Sequence, residues 1–402
     1  MTAFQDSRAV SVGLGPLHGL RVVEMPSIGP APFSGMLLAD MGADVVRLDR
    51  AGSSGLGEEM DPQNDLLGRG KRSLAIDLKA PGACEAVLAM LDKADVVIEG
   101  FRPGVMERLG LGPDVALGRN PRLIYGRMTG WGQEGPLASA AGHDINFLSL
   151  TGALHAIGRR GEAPVPPLNL VADFGGGALY LAFGIVSALY ERRQSGRGQV
   201  IDAAIVDGSS SLMTLMYSLL AQGSWRDERG ANSLDGGAPW YDSYLCSDGR
   251  YVCIGALERK FFEVLLRRLG IAPERFADHM DRACWPALRT ALAATFAQRT
   301  RNEWSALLEG SDACFAPVLS MAEAPHHPHI AARATFVTHQ NIVQPAPAPR
   351  FSRTPGAIRR GPPQRGEGGR DALTEWGVDA PFLNEGSPQA DPGISANPHP
   401  IQ

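Results

Sequence analysis

His143 and Asp173 are the residues of this sequence best suited to acid–base chemistry. His143 lies in the segment GHDINF (142–147) and Asp173 in NLVADFGGG (169–177). An unperturbed imidazole titrates near pH ~6.5 and an unperturbed aspartate near pH ~3.9. If the fold places the two side chains on opposite faces of one carbon atom, one can remove a proton while the other returns one. This pair therefore indicates inversion of a stereocentre without a redox cofactor.

Each residue also has a purely structural explanation. His143 precedes an apolar run with helical spacing, so we predict it at the start of a helix. There an outward N–H, such as that of Asp144, can stabilise an oxyanion. Asp173 precedes three glycines that open the next predicted helix, and aspartate is a good N-cap. Taken singly, either residue is explained by helix capping as well as by catalysis.

Charged side chains follow three successive predicted strands. They are Arg47, Asp49 and Arg50 after the second strand, Asp77 and Lys79 after the third, and Arg102 after the fourth. Arginines gathered at one edge of a sheet can hold phosphates through paired hydrogen bonds. A solvated strand end explains any one of these residues better, but their recurrence at three strand ends favours a phosphorylated ligand.

The elements that must position these residues alternate between strand and helix. A strand at 20–25, a helix at 33–41 and a strand at 44–48 make a βαβ unit, which requires a parallel sheet. Farther on, a predicted hairpin turns at Ser247–Gly249 and begins a region with a different sequence pattern. Further strands are predicted at 73–78, 95–99, 122–127 and 199–204, and helices at 81–91, 103–109, 175–193, 260–269, 285–298 and 302–308.

The chain of 402 residues is long enough for two domains. We predict an α/β fold with a large Rossmann-like domain and a smaller α+β domain. The predicted segments are a flexible leader (1–18), the large domain (19–205), a linker (206–239), the small domain (240–330), a second linker (331–345), a return to the large domain (346–378) and a disordered tail (379–402).

Composition and missing motifs argue against several classes of protein. The net charge of -5 offers no basic field for nucleic acid. The five cysteines are scattered and form no Cys-x-x-Cys pair, which favours a reducing compartment over disulfides or zinc. The N-terminus does not resemble a signal peptide, and the apolar run at 178–190 is too short to span a membrane, so we interpret it as a buried helix. We therefore expect a cytoplasmic protein that acts without a membrane.

Cofactor and metal signatures are also missing from the sequence. The first βα loop (26–32) is rich in proline and is not G-x-G-x-x-G, which argues against a nicotinamide or flavin cofactor. The cluster His326–His329 contains Pro328 and has no neighbouring acidic pair or cysteine, so we interpret it as a surface loop rather than a metal site.

Several longer segments resemble one family. They are residues 20–50, 68–79 (GRGKRSLAIDLK), the GHDINF and NLVADFGGG segments, 199–208 and 234–241 (LDGGAPWY). Together they resemble the α-methylacyl-CoA racemases of the family III CoA-transferase superfamily, over roughly residues 19–355. The resemblance implies two chains interlocked as a homodimer with shared active sites. It also implies an acyl-CoA thioester substrate, so that coenzyme A is part of the substrate and no separate cofactor is needed.

The resemblance assigns roles to individual residues. His143 and Asp173 occupy the catalytic positions, with Asp144 beside them, and Glu258 matches an acid that the partner subunit supplies to orient the histidine. The chain departs from the family pattern next to Glu258, where Arg259 and Lys260 replace Pro-Gln and can compete for its carboxylate. Residues at positions that bind coenzyme A or the thioester are Arg50, Ile76, Asp77, Leu78, Lys79, Arg102, Gly142, Asn146 and Phe147.

The implied mechanism transfers protons through an enolate of the thioester. Neutral His143 removes the α-proton of one epimer while protonated Asp173 delivers a proton to the other face, and the reverse reaction exchanges these roles. Met213 and Met216 can supply a flexible surface for the acyl chain, although core packing explains them at least as well. Two alternatives remain: a CoA transferase with Asp173 as nucleophile, and a non-catalytic CoA-binding dimer.

Overall fold

The computed structural model of the protein describes residues 14–50, 60–276 and 278–378. The chain forms two compact units. The first contains the residues up to Phe147, Asn169–Ser209 and those from Ala334 onward, and the second contains Leu148–Leu168 and Ser210–Arg333. Residues 148–168 thus cluster with the second unit, whereas the sequence interpretation placed them in the large domain. Most of the predicted leader and all of the predicted tail lie outside the described residues.

A parallel sheet of six strands forms the centre of the first unit. Its order is β3-β2-β1-β4-β5-β6, and β1 pairs with both β2 and β4. The strand order therefore reverses between β1 and β4, the point at which open α/β sheets bind ligands. This confirms the predicted fold class. The strands are β1 (Arg21–Glu24), β2 (Asp44–Asp49), β3 (Arg72–Ala75), β4 (Val96–Glu99), β5 (Ile124–Thr129) and β6 (Gln199–Ala204).

The helices begin where the backbone chemistry of glycine and proline allows. Helix α1 starts at Pro30, three residues before the prediction, because proline suits the first helical turn. Helix α2 starts at Ala83 rather than at Pro81, because Gly82 is in the left-handed region and precedes it. Helix α4 was not predicted. The α-helices are α1 (Pro30–Asp40), α2 (Ala83–Leu91), α3 (Val105–Arg108), α4 (Pro113–Arg119), α5 (Asp144–Ser149), α6 (Ala153–Ala156), α7 (Leu179–Ser195), α8 (Ile205–Leu212), α9 (Thr214–Ala221), α10 (Arg259–Arg268), α11 (Trp285–Phe296), α12 (Arg301–Leu308), α13 (Pro328–Ala332) and α14 (Gly369–Trp376).

The C-terminal part of the described chain completes the core of the first unit. Leu373 and Trp376 of α14 pack in the same buried cluster as Val46 of β2 and Leu91 of α2. The indole N–H of Trp376 donates to a carboxylate oxygen of Asp44 at 2.7 Å. Helix α14 is therefore held to the sheet edge by both apolar burial and a specific polar contact.

The second unit is built on a three-stranded antiparallel sheet with order β7-β8-β9. Strands β7 and β8 form the hairpin predicted around Ser247–Gly249. Aromatic side chains, including Trp240, Phe262 and Phe296, fill its core. The strands are β7 (Tyr241–Leu245), β8 (Tyr251–Gly255) and β9 (Phe315–Pro317), and a further pair in the first unit is β10 (Phe336–His339) and β11 (Ile342–Pro345).

One helical stretch among the described residues, Leu170–Ser195, is long and apolar enough to cross a membrane by length and composition. Its side chains divide between two faces. Leu181 and Ile185 are fully buried, and they pack against Gly126 of the central sheet. Phe183 and Tyr190 are 73% and 66% exposed. The stretch is thus a sheet-packed helix with an apolar outer face, so the prediction of a buried helix holds for one face only.

Candidate active site

His143 lies immediately before α5, as the sequence predicted. Its carbonyl oxygen accepts hydrogen bonds from the N–H groups of Asn146 and Phe147 at 2.8 and 3.2 Å. The side-chain oxygen of Asn146 accepts from the N–H of His143 at 3.0 Å. These reciprocal bonds fix the backbone of His143 while its imidazole remains exposed. Asn146 therefore holds the histidine in place.

Phe147 anchors the segment that carries His143. Its ring is buried and packs edge-on against Trp131, with ring centroids 4.8 Å apart. A Cβ atom added at Gly130 would lie 2.0 Å from this ring, and one at Gly142 would lie 2.7 Å from it. Both glycines thus make room for the ring of Phe147. In the structure, Phe147 and Gly142 therefore have packing roles.

Asp173 lies inside a π-helix, Leu170–Ala178, that runs directly into α7. The alternative explanation of Asp173 as an N-cap is therefore wrong, because the helical segment begins at Leu170. Periodicity could not reveal this, because a π-helix differs from an α-helix in its hydrogen-bond spacing rather than in residue type. Such widened turns are rare and occur frequently at functional sites. The carboxylate of Asp173 also accepts a hydrogen bond from the side chain of Asn169.

The Asp173 carboxylate lies against the loop between β1 and α1, at the reversal of strand order. A Cβ atom added at Gly29 would be only 3.4 Å from Oδ2 of Asp173, and Gly29 has a φ of 70°, where glycine is favoured. Next to it, the ring of Phe33 stacks on Phe174 with centroids 4.4 Å apart. The first βα loop therefore forms one wall around Asp173.

Two carboxylates, Asp144 and Asp173, share this region with His143. Oδ2 of Asp144 accepts a hydrogen bond from the N–H of Asp173 at 2.8 Å. Burial, and secondly the charge of Asp144, raises the pKa of Asp173 from 3.8 to about 6, although His143 and Asn169 oppose the rise. Asp173 can thus hold a proton near neutral pH, as an acid–base partner of histidine must.

The predicted CoA-binding residues lie at the carboxyl edge of the parallel sheet. Arg50 follows β2 and Arg102 follows β4, and both side chains are exposed. Between them lies β1, since the local strand order is β2-β1-β4. The two guanidinium groups therefore follow the strands on either side of the first βα loop.

The segment after β3 has mixed exposure. Oδ1 of Asp77 accepts a hydrogen bond from the N–H of Lys79 at 3.0 Å, which shapes an exposed turn. Ile76 is 3% exposed and belongs to the core, and Leu78 packs against the same cluster. Their side chains face the core rather than solvent.

Buried ion pairs near this edge were not found by sequence reasoning. Lys71 is fully buried, and its ammonium group donates to both oxygens of Glu24 at 2.9 and 2.7 Å and to the carbonyl of Pro32 at 2.8 Å. Arg69 is 3% exposed and lies 2.6 Å from a carboxylate oxygen of Asp40. The polar segment before β3 thus ends in the buried, paired charges of Arg69 and Lys71, and residues 51–59 lie outside the described chain.

Glu258 belongs to the second unit and is exposed at the N-terminus of α10. The expected competition from its two cationic neighbours is resolved locally. Nε of Arg259 lies 3.0 Å from a carboxylate oxygen of Glu263, and the ammonium of Lys260 lies 4.5 Å from the centroid of the Phe261 ring. Both cations therefore have partners of their own.

The other sequence candidates occupy the second unit. Met213 is the N-cap of α9, Met216 lies within that helix, and both side chains are half-buried. In the histidine cluster, Nε2 of His327 lies 2.7 Å from an oxygen of Glu309. Among the described residues, no three histidine, cysteine, aspartate or glutamate side chains are grouped to hold a metal ion.

The candidate site therefore combines a parallel sheet of Rossmann strand order with a histidine–aspartate pair at the point where that order reverses. The sequence profile of CoA-transferase family III matches residues 17–368. The chain therefore belongs to CoA-transferase family III.

Individual relatives narrow this classification. The chain is 47% identical to the alpha-methylacyl-CoA racemase of Mus musculus over 90% of this chain and 93% of the relative. It is 44% identical to the alpha-methylacyl-CoA racemase of Homo sapiens with the same coverage of both chains. The crystal structure of a CAIB/BAIF family protein from Brucella suis matches with a TM-score of 0.77 and 29% identity, over 90% of this chain and 99% of that one.

Proposed function

We propose that this chain is an isomerase that inverts the α-carbon of 2-methylacyl-CoA thioesters. The observation that carries the proposal is the pair His143 and Asp173 at the reversal of strand order, where the pKa of Asp173 is raised to about 6. The similarity to two alpha-methylacyl-CoA racemases over 90% of the chain supports the same activity.

Inversion requires two proton transfers on opposite faces of one carbon. Neutral His143 removes the α-proton of the S epimer, and the electron pair passes to the thioester oxygen as an enolate. Protonated Asp173 then delivers its proton to the other face, which leaves the R epimer, an imidazolium and a carboxylate. Each acid–base group contributes about 10²–10⁴ in rate. The reverse reaction uses ionised Asp173 as the base and the imidazolium as the acid.

The enolate oxygen needs a stabilising donor during this reaction. We assign that role to the N–H of Asp144, the first residue of α5, since such an N–H has no acceptor within its own helix. Polarisation of the carbonyl by this donor lowers the cost of removing the α-proton. In this scheme the thioester itself stores the charge, so we propose that no separate cofactor takes part.

The adenosine phosphate end of coenzyme A is assigned to the carboxyl edge of the sheet. Arg50 and Arg102 are exposed there on strands that flank β1, and arginine can bind phosphate oxygens in pairs. Asp77 and Lys79 shape an exposed turn beside them. On this assignment, Arg50→Ala or Arg102→Ala raises KM for acyl-CoA with a smaller effect on kcat.

A homodimer with shared active sites is the assembly that we propose. The apolar outer face of α7, with Phe183 and Tyr190 exposed, supplies a surface that a second copy can cover. In this assembly Glu258 of the partner subunit orients His143. We also propose a cytoplasmic location, which the five free thiols favour.

Co-expression of two inactive variants tests the shared site. His143→Ala and Glu258→Gln homodimers both lose activity, but each mixed dimer contains one site with both changes and one site with neither. We expect about one quarter of the wild-type activity from random mixing, because half of the dimers are mixed and each has one intact site. No recovery of activity would contradict the contribution of Glu258 across the interface.

Epimer interconversion without an acceptor acid tests the activity itself. Purified protein is incubated with a panel of single-epimer 2-methylacyl-CoA esters, and the two epimers are separated by chiral chromatography. We expect inversion without an added carboxylate and its loss in both His143→Ala and Asp173→Ala. Turnover that requires an acceptor carboxylate would instead indicate a CoA transferase with Asp173 as nucleophile. Inversion at the uncatalysed rate in the wild type and in both folded variants would indicate a non-catalytic CoA-binding dimer.

A further inference from the structure

The side chain of Asp144 connects the two proposed bases. Asp144 follows His143 directly in the chain, its Oδ2 accepts the N–H of Asp173 at 2.8 Å, and the N–H of Ala172 also bonds its carboxylate. One residue is therefore covalently adjacent to one base and hydrogen-bonded to the backbone of the other. Its carboxylate caps the first turn of the π-helix.

The second carboxylate oxygen of Asp144 is unusual. The residue is 9% exposed, yet Oδ1 has no hydrogen-bond partner among the described residues. An unsatisfied buried oxygen costs free energy, and burial beside a second carboxylate adds repulsion. If Asp144 served only as a helix cap, asparagine would accept the same N–H bonds without that repulsion. The negative charge itself therefore has a use at this position.

The charged and polar groups that face Asp173 define this use. They are His143 and Asp144 around α5, Asn169 before the π-helix, and the backbone at Gly29 before α1. His143 and Asn169 favour the ionised form of Asp173, and Asp144 opposes them. Burial also raises the pKa of Asp144, but backbone N–H bonds from Asp173 and Ala172 oppose that rise by stabilising its anion. The Asp173 carboxylate has a side-chain bond from Asn169 instead, so the two carboxyl groups have different environments, which is the arrangement that separates an anion from a proton-exchanging group.

We propose that Asp144 is a positioning residue, whose carboxylate fixes the backbone of Asp173 beside His143 and whose negative charge favours the protonated form of Asp173. This inference rests on the proposed racemase function of the site. Without the charge, Asp173 is a weaker proton acceptor and donates poorly near neutral pH. Without the hydrogen bonds, the turn that carries Asp173 is free to shift.

Asp144→Asn separates the two roles, because it retains an oxygen for the backbone bonds and removes the charge. Asp144→Ala removes both. Asp114→Asn is the control, since it makes the same change of charge at an exposed position on α4. In the R-to-S direction, where ionised Asp173 is the base, the acidic limb of the pH–rate profile should move down by about half a pH unit or more in Asp144→Asn. Asp144→Ala should lose a further ~10–100-fold in kcat with little change in KM.

Carboxyl NMR with ¹³C-labelled aspartate makes the test independent of activity. The resonance of Asp173 is assigned by its loss in Asp173→Asn, and it is followed with pH in the wild type and in each variant that folds. We expect Asp173 to titrate above Asp144 in the wild type and to move towards ordinary aspartate behaviour in Asp144→Asn, while Asp114→Asn changes nothing.

The NMR titration and the epimer assay distinguish failure of the positioning role from failure of the racemase function. If Asp144 titrates above Asp173 in the wild type, or Asp144→Asn leaves the titration of Asp173 unchanged, the positioning role is overturned even if epimers interconvert. If the titration shifts as expected but the wild type does not invert any ester, the positioning role stands and the proposed racemase function fails.

Discussion

The first unit buries carboxylates in two different ways. At the ends of β1 and β3, Glu24 is buried against Lys71, and burial raises the pKa of Glu24 while Lys71 opposes the rise. In the candidate site, burial also raises the pKa of Asp173, but the nearest carboxylate, Asp144, adds to the rise. A buried carboxylate with a cation as partner is a structural element, whereas one beside another carboxylate is prepared to exchange a proton.

The buried ion pair and the candidate site are also connected through α1. Lys71 donates to the carbonyl of Pro32 in the first turn of α1, and α1 begins next to the Asp173 carboxylate. The paired charges therefore fix the wall of the site, whereas Asp173, which has a carboxylate beside it, is the proposed base. Four measurements, in order of decreasing expected effect, test this contrast between the two kinds of buried carboxylate.

Removal of either proposed base has the largest expected effect. His143→Ala and Asp173→Ala should each lower the rate of inversion by about 10²–10⁴, because each removes one of two required proton transfers. Steady-state kinetics with one 2-methylacyl-CoA epimer measures the loss, and circular dichroism verifies the fold. A folded variant with unchanged kcat would remove that residue from the mechanism.

Disruption of the buried pair should affect stability instead of chemistry. Lys71→Met leaves the Glu24 carboxylate buried without a cation, at a cost of about 3–5 kcal/mol in the free energy of unfolding. The double variant Glu24→Gln/Lys71→Met should recover part of this loss, since no unpaired charge remains. Urea unfolding measures both. Equal losses in the single and double variants would show that the pairing itself is not what stabilises the region.

Asp173→Asn should stabilise the fold at neutral pH. The folded-state pKa of Asp173 is raised to about 6, so its protonated form stabilises the fold at low pH, and that contribution is lost as pH rises through 6. We expect Tm to increase by about 2 °C at pH 7.5, with a smaller increase at pH 4.5. Asp114→Asn serves as the exposed control. An increase that is equal at both pH values would contradict the raised pKa.

Arg259→Ala should have the smallest effect. Arg259 pairs with Glu263 on the exposed face of α10, and solvent and salt screen such exposed pairs, so they contribute little to stability. Neither kcat nor KM should change if Arg259 is engaged there rather than with Glu258. An increase in kcat in Arg259→Ala would show instead that this arginine competes for Glu258.

Much of the fold could be predicted because apolar strands and glycine-rich turns are local patterns. Strand β6 and the β7–β8 hairpin lie where their sequence pattern placed them. The start of α1 was missed because its prolines suggested a loop, although Pro30 suits a first helical turn.

The electrostatics of the site could not be predicted from the sequence, because they depend on contacts between distant segments. Residue type identified His143 and Asp173, but nothing local places the carboxylate of Asp144 on the N–H of Asp173. The buried partners Glu24 and Lys71 are farther apart still, separated by 47 residues compared with 29 for Asp144 and Asp173. The π-helix around Asp173 also escaped detection, since helix type is set by packing rather than by composition.

The deuterium content of the first product formed in D2O tests the central claim most directly. One protiated epimer of a 2-methylacyl-CoA ester is incubated briefly, and the opposite epimer is isolated and analysed by mass spectrometry. If His143 and Asp173 act on opposite faces, the proton delivered comes from a group that has exchanged with solvent, so the product should carry deuterium at the α-carbon from the first turnover. A product that retains the original protium would mean that one base removes and returns the same proton, and the two-base account would be wrong.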